Sequence, residues 1–231
     1  MAKKTVQQAS APEQNLNKQE AIFIKYRKQI TCAVIAAIVI IAGIVIYKNF
    51  FSAPREDKAA TALAKAQDAF AQENYAVALN GDKTFEGFIA ISENYGGTDA
   101  ANLARAYAGI CYAKTGKWAE AVKYLEDFST QNDALISPAV TAALGNAYAN
   151  TGDVDKAIKT LQKAADMANS EAPEGISNSL APSFLIQAAR LLESQNKNDE
   201  ALKIYQTIKE KYVNSPASQD IDKYIERLSN K

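Results

Sequence analysis

The sequence predicts an all-α protein in which one transmembrane helix near the N-terminus precedes a helical solenoid of about four helix pairs and a C-terminal capping helix. Three observations support this fold: an uncharged apolar run of eighteen residues, a spacing of small residues that recurs along the rest of the chain, and a glycine or asparagine inside each recurrence. We expect four segments, namely a polar and basic tail at 1–29, the membrane span at 30–47, a linker at 48–56 and the solenoid at 57–229.

The apolar run begins at Ile30 and ends at Tyr47 without a charged residue. As a helix it would extend about 27 Å, close to the ~30 Å hydrocarbon core of a bilayer. Aromatic side chains, which favour the membrane interface, flank both ends of the run: Tyr26, Tyr47, Phe50 and Phe51. The run therefore predicts a permanent single-pass anchor.

Two other interpretations of this run are a cleaved signal peptide and a buried core helix. A signal peptide is disfavoured by the polar lead-in of 29 residues. Cleavage after Ala53 would also place Phe51 at position −3, where a small residue is required. A core helix would carry polar residues on one side, and this run has none.

Basic residues beside the run set its expected orientation. Lys25, Arg27 and Lys28 lie at the N-terminal edge, whereas only Lys48 touches the other edge. The positive-inside rule then places the N-terminus in the cytoplasm and exports residues 48–231. Counted over 20 residues on each side, the two edges carry equal numbers of basic residues, so the orientation depends on the nearest charges.

The composition argues against an enzyme. The chain has no histidine, which removes Ser-His-Asp and Cys-His nucleophiles and nearly every zinc or haem site. Residues 1–29 hold six basic and two acidic residues, so the neutral chain has a net-acidic body that lacks a basic face for nucleic acid. Cys32 and Cys111 fall in different environments and are not expected to pair. We predict no catalytic residue, metal site, cofactor, small-molecule substrate or nucleic-acid partner.

Three segments of the body, 104–125, 141–164 and 186–208, share one spacing of small residues. In each, a small residue is followed seven positions later by glycine or asparagine and 12 positions later by alanine. The small residues let two antiparallel helices approach closely, and glycine or asparagine tolerates the left-handed conformation of a tight turn. The residues concerned are Gly109, Gly116 and Ala121; Gly145, Gly152 and Ala157; and Ala189, Asn196 and Ala201.

This pattern resembles the tetratricopeptide repeat. The third segment keeps Ala201 and Tyr205 but replaces both glycines of the family pattern. The intervals between segments are 36 and 44 residues, against ~34 for the family. The resemblance implies a right-handed solenoid of antiparallel helix pairs. The positions that match the family are Leu144, Gly145, Tyr148, Gly152, Ala157, Leu161 and Ala164 in the second segment, and Gly109, Tyr112, Gly116, Trp118 and Ala121 in the first.

A degenerate unit is expected over residues 57–97, ahead of these three. Its first helix would cover 57–72, and its second would have the sequence TFEGFIAISENY. Gly87 and Ile91 would take the small and large positions of that second helix. The insertion at 73–84 has no assigned role.

Two later segments complete the predicted solenoid. Residues 168–179 fit a loop that lengthens the second interval, and their role is also open. Residues 216–229 form a polar amphipathic helix, as the terminal cap of a solenoid requires.

Tetratricopeptide arrays bind peptides or protein tails in a concave groove formed by the first helix of each pair. Asn146 and Asn150 lie four residues apart, where two amides can hydrogen-bond an extended backbone. The alternative, which is the more common situation, is that both are simply solvated polar residues. Ala142 and Ala143 beside them disfavour the carboxylate clamp of chaperone-binding members. The groove residues that the resemblance implies are Tyr107, Ile110, Lys114, Asn146, Asn150 and Arg190.

An uncleaved N-terminal anchor followed directly by such repeats resembles the ancillary subunits of the SecYEG translocon. That resemblance implies a scaffold or chaperone-like adaptor in the bacterial inner membrane, with its repeats in the periplasm. The implied partners are translocon components, exported chains or periplasmic chaperones. The alternative is a coordinator of envelope assembly, cell-wall assembly or division that tethers another enzyme.

Overall fold

The computed structural model describes residues 18–229, so residues 1–17 of the predicted tail lie outside the described part. The chain forms two compact units, Met1–Ala53 and Pro54–Lys231. Within residues 18–229 the regular structure is helical, apart from one isolated antiparallel bridge between Gly81 and Glu86. The predicted all-α fold class is therefore confirmed.

The described part of the first unit contains one long helix, α1 (Lys18–Tyr47), and a short π-helical segment, Lys48–Ser52. The apolar side chains of α1 are exposed over residues 30–47 and pack into no core. By length and composition, this is the one helix among the described residues that can cross a membrane. A membrane anchor and a signal sequence both have these properties.

The described part of the second unit contains ten further α-helices, and from α3 to α11 each helix packs against the next one along the chain. The pairs α5–α6, α7–α8 and α9–α10 correspond to the three aligned segments, and α11 packs on α10 as the cap. The bounds are α2 (Ala53–Ala71), α3 (Tyr75–Asn80), α4 (Phe88–Asn94), α5 (Asp99–Lys114), α6 (Trp118–Glu126), α7 (Ile136–Thr151), α8 (Val154–Ser170), α9 (Ala181–Ser194), α10 (Asn198–Lys211) and α11 (Ile221–Ser229).

The turn inside each pair has one residue with a positive φ angle. These residues are the predicted Gly116, Gly152 and Asn196, with φ of 75°, 93° and 58°. Glu73 is the equivalent residue of the first pair, with φ of 58°. It lies seven residues after Ala66 and five before Ala78, and both alanines are fully buried. The first pair therefore follows the same spacing as the other three.

The second helix of the first pair differs from the prediction. It begins as α3 at Tyr75, inside the segment that had no assigned role, and continues after a loop as α4. The small position belongs to Ala78, because Gly87 lies in extended backbone as the N-cap of α4. Ile91 is fully buried, as expected of a large core residue.

The loop at 81–87 that separates α3 from α4 closes tightly on itself. The side-chain carboxylate of Asp82 accepts a 2.6 Å hydrogen bond from the backbone N–H of Thr84. A Cβ atom on Gly87 would lie 2.2 Å from the backbone nitrogen of Gly81 and 2.3 Å from the carbonyl oxygen of Leu79. Glycine is therefore required at position 87, because its backbone lies too close to the end of α3 and the start of the loop to leave room for a side chain.

Close contact between the two helices of a pair depends on the small residues. A Cβ atom on Gly145 would lie 2.8 Å from Cγ of Leu161 and 3.3 Å from the carbonyl oxygen of Ala157. The equivalent atom on Gly109 would lie 2.5 Å from Cγ of Leu125. Each glycine thus leaves the space that a leucine of the partner helix fills, in agreement with the predicted helix approach.

An acidic residue just before α7, Asp133, hydrogen-bonds the free N–H groups at the start of this helix. The Asp133 carboxylate accepts hydrogen bonds from the backbone N–H groups of Leu135, Ile136 and Ser137 and from the Ser137 hydroxyl. Burial alone would raise the pKa of Asp133, but these hydrogen bonds outweigh it and hold the pKa below its ordinary value. Ionised Asp133 therefore caps the N-terminus of α7.

We expect Gly145→Leu to destabilise the repeat unit by about 1–3 kcal/mol or more, because the new side chain must displace Leu161. The measurement is urea unfolding of the full chain in mild detergent, followed by circular dichroism. Ala139→Leu adds the same side chain at an exposed position of the same helix and serves as the control. Equal unfolding midpoints for the two variants would contradict the packing described for Gly145.

We expect Asp133→Asn to destabilise the repeat unit by about 0.3–1 kcal/mol at neutral pH, because the negative charge at the N-terminus of α7 is lost. A carboxylate with a lowered pKa stabilises the fold above its unfolded pKa, and this stabilisation disappears as the pH falls through the folded pKa. The gap between wild type and variant should therefore close below about pH 4. Urea unfolding at neutral pH and below about pH 4 tests this prediction. If the difference in unfolding free energy between wild type and variant persists in acid, the charge of Asp133 is not its cause.

Candidate protein-binding face

The first helices of the last three pairs expose residues at matching positions. On α5, α7 and α9 these positions recur at intervals of four, three and four residues, which places them on one face of each helix. We call these twelve residues the first-helix face, and all of them are half-buried or exposed. They are Leu103, Tyr107, Ile110 and Lys114 on α5; Ala139, Ala143, Asn146 and Asn150 on α7; and Ser183, Gln187, Arg190 and Ser194 on α9.

The structure places all six sequence-predicted groove residues on this face, together with six that the sequence reasoning missed. The missed residues follow from the intervals of 36 and 44 residues, because adding these intervals to a position on α5 gives its equivalents on α7 and α9. Position 103, for example, leads to Ala139 and Ser183. The residues missed are Leu103, Ala139, Ala143, Ser183, Gln187 and Ser194.

The centre of the first-helix face is uncharged. Helix α7 has no charged residue among its sixteen, and its face consists of two alanines and two asparagines. On α5 the face carries a charge only at Lys114, in the last turn, where a cation interacts favourably with the helix dipole. On α9 the face carries a charge only at Arg190. This surface offers little to attract a strongly charged ligand.

Tyr107 and Ile110 each use one side of their side chain to pack against the protein core. The Tyr107 ring stacks on Phe88 with a centroid distance of 5.0 Å and meets Phe70 edge-on at 5.1 Å. Ile110 packs against a buried cluster that includes Ala106 of α5 and Val140 of α7. Both side chains are half-buried, so each offers one apolar side to a ligand while the other side stabilises the fold.

The two asparagines differ in what they can offer. The Asn150 side-chain amide donates a 2.8 Å hydrogen bond to the backbone carbonyl of Asn146, one turn earlier. Among the hydrogen bonds of the described residues, none involves the Asn146 side chain. Asn146 can therefore both donate to and accept from a ligand backbone, whereas Asn150 presents chiefly its carbonyl oxygen.

Arg190 contacts the capping helix. It donates a 2.7 Å hydrogen bond to the hydroxyl of Tyr224, and its guanidinium lies 5.5 Å from the centre of that ring. The Tyr224 ring in turn stacks on Tyr205 at 5.1 Å. Replacing Arg190 would therefore disturb the packing of α11 as well as any ligand contact.

Glu193 anchors the other side of this contact. Its carboxylate accepts hydrogen bonds of 2.7 Å from the Tyr205 hydroxyl and from Arg227 of α11. Its side chain is only 15% exposed, so Arg227 compensates a largely desolvated charge. Burial and the hydrogen bond to Glu193 raise the pKa of Tyr205 above its ordinary value. This cluster fixes α11 to the last helix pair.

The described residues combine dispersed acidic side chains with a buried thiol, Cys111. They contain no group of three or more Cys, Asp or Glu side chains placed to hold a metal ion. The Cys111 thiol is fully buried, and burial raises its pKa to about 12, so it is protonated at neutral pH.

Comparison with known proteins identifies the repeats. A family model described as a tetratricopeptide repeat-like domain matches residues 21–175, and a second model, described as a tetratricopeptide repeat, matches residues 142–216. No curated protein matches the chain. The first match covers more than half of the chain and extends from α1 to beyond the end of α8. The chain therefore belongs to the tetratricopeptide repeat-like domain family, whose repeats are scaffolds for protein–protein interaction.

Proposed function

We propose that this protein is a membrane-anchored scaffold or chaperone-like adaptor that binds exported polypeptides or partner proteins at the secretion translocon. In this proposal residues 30–47 anchor it in the bacterial inner membrane, the tail at 1–29 is cytoplasmic, and a linker at 48–56 leads to the periplasmic solenoid at 57–229. Its partners would be translocon components, exported chains or periplasmic chaperones. It would act without catalysis, as is typical of this fold.

The uncharged centre of the first-helix face is the observation that supports this function most directly. Alanines 139 and 143 leave room for the side chains of a ligand, and Asn146 offers a donor and an acceptor to its backbone. Leu103 and Ile110 add apolar contact beside them. Such a surface suits extended polypeptides of varied sequence better than one charged tail.

The length and apolar character of α1 support the anchor. It is exposed along its whole apolar segment and has no core to join within its own unit. Lys25, Arg27 and Lys28 precede this segment, and Lys48 alone follows it closely, which favours a cytoplasmic N-terminus. An exported repeat unit would meet polypeptides as they leave the translocon.

Site-specific photocrosslinking tests the binding surface. A photoreactive residue at Asn146 of the full chain should capture exported polypeptides several-fold more efficiently than one at Gln206, an exposed position on the second helix α10. The expected difference arises because only Asn146 lies on the first-helix face. Capture of division or cell-wall proteins alone would favour the envelope-assembly alternative. Equal capture at both positions would contradict the proposed surface.

Cysteine labelling tests the orientation. In a chain carrying Cys32→Ala, a cysteine at Gln206 should react with a membrane-impermeant maleimide in cells with an opened outer envelope. A cysteine at Ser10 should react only after lysis. The native Cys111 should stay unlabelled, because it is buried and its raised pKa keeps it as a thiol. The reverse pattern would refute the exported orientation and, with it, the translocon role.

A further inference from the structure

The longer of the two repeat intervals places extra residues between α8 and α9, and these residues help to form a cavity. The interval from Gly145 to Ala189 is 44 residues, eight more than the interval before it. The inserted loop includes a short 3₁₀ turn, Pro173–Gly175. With the start of α7 and the end of α10, it lines a cavity of about 550 Å³.

Buried side chains hold this loop in place. The Asn169 side chain accepts a 3.0 Å hydrogen bond from the backbone N–H of Ser177 and donates a 2.8 Å hydrogen bond to the Tyr212 hydroxyl. All three residues are buried. The loop is thus tied to both α8 and the end of α10, so that the cavity exists before any ligand binds.

Exposed apolar side chains mark the same region. Among residues 54–229, three large apolar side chains are exposed: Leu135 (64% exposed), Ile136 (50%) and Val213 (62%). Leu135 and Val213 line the cavity, together with Ile176. Isolated exposed apolar residues are common, but three beside one preformed cavity indicate a contact surface.

This surface continues into the first-helix face. Ile136 lines a smaller cavity of about 270 Å³ together with Leu103 and Phe128, and the polar lining of this cavity comes from Asp99, Asn102, Gln131 and Asp133. Leu103 belongs to the first-helix face, and Ile136 opens α7 one turn before Ala139. An apolar strip therefore leads from the larger cavity, past Leu135 and Ile136, onto the first-helix face.

The charged residues that line the larger cavity indicate which kind of segment can bind there. Its charged lining residues are Glu174 and Lys211, whose charges cancel, and the remaining polar lining comes from uncharged side chains such as Asn178 and Asn214. A neutral, apolar segment matches this lining better than an acidic or basic tail. The adjacent residues Leu135 and Ile136 each line one of the two cavities, so a polypeptide in an extended conformation can reach both.

We propose that the cavity between α7, the 172–179 loop and α10 holds a large apolar side chain of an unfolded polypeptide, which continues along Leu135 and Ile136 onto the first-helix face. This inference rests on the proposed function and names the partner as an extended apolar segment. The site lies at the N-terminal end of the first helices, beside the first-helix face.

Peptide binding to the full chain in lipid nanodiscs tests the proposal. The probe is a short, uncharged, fluorescent peptide with two leucines, and its counterpart has both leucines replaced by serine. We expect Leu135→Ser combined with Val213→Ser to weaken binding of the leucine peptide about tenfold or more, because two apolar contacts are lost. Both positions are exposed, so the fold should be unaffected. Gln206→Ser on α10 is the control and should bind as wild type.

Three results would overturn the proposal: unchanged binding of the leucine peptide by the double variant, equal binding of the serine peptide, or a wild-type dimer that the double variant converts to a monomer. The last would show that a second copy of the chain covers the surface. If crosslinking at Asn146 still captures exported chains in any of these cases, only this inference fails. If that crosslinking is also absent, the proposed function fails with it.

Discussion

The close approach of the two helices in each pair is the contact on which the rest of the repeat unit depends. A small residue in the first helix makes room for a large one in the second, as Gly145 does for Leu161 and Gly109 does for Leu125. The positive-φ residue that follows by seven positions reverses the chain so that the two helices can meet. Because this geometry recurs, α5, α7 and α9 present equivalent positions, and a surface extends across three pairs.

A repeat array must also end, and its last pair lacks the neighbour that covers the others. Helix α11 covers it with Ile221 and Leu228, which are buried in the same core as α10. The polar contacts of the cap are made by Glu193 with Arg227 and by Arg190 with Tyr224. The charged residues of α9 are therefore used to hold the cap, which leaves the centre of the first-helix face to α7 and its uncharged side chains.

Features set by short-range spacing could be predicted from the sequence, and features that depend on distant partners could not. Gly145 and Gly152 act within one helix pair, so their spacing indicated that pair correctly. In the first pair Ala66 and Ala78 have the same spacing as in the other pairs. The turn residue between them is Glu73, however, and glutamate rarely adopts a positive φ angle. From the sequence alone, Gly87 and Ile91 are therefore expected at the small and large positions instead. On the candidate site, the positions followed from the repeat, whereas the engagement of Arg190 depends on Tyr224, 34 residues away.

Regularity alone cannot make such a surface selective, because equivalent positions on α5, α7 and α9 repeat the same geometry. Selectivity requires places where the regularity is broken, and the two insertions are such places. The 81–87 loop interrupts the second helix of the first pair and lines a cavity of about 440 Å³ with α2. The loop before α9 lines the larger cavity beside Leu135 and Val213. Each loop is fixed by its own hydrogen bonds, through Asp82 in the first and Asn169 in the second. Because these loops are ordered without a ligand, each can add a defined contact to an otherwise uniform surface at little cost in ordering entropy on binding.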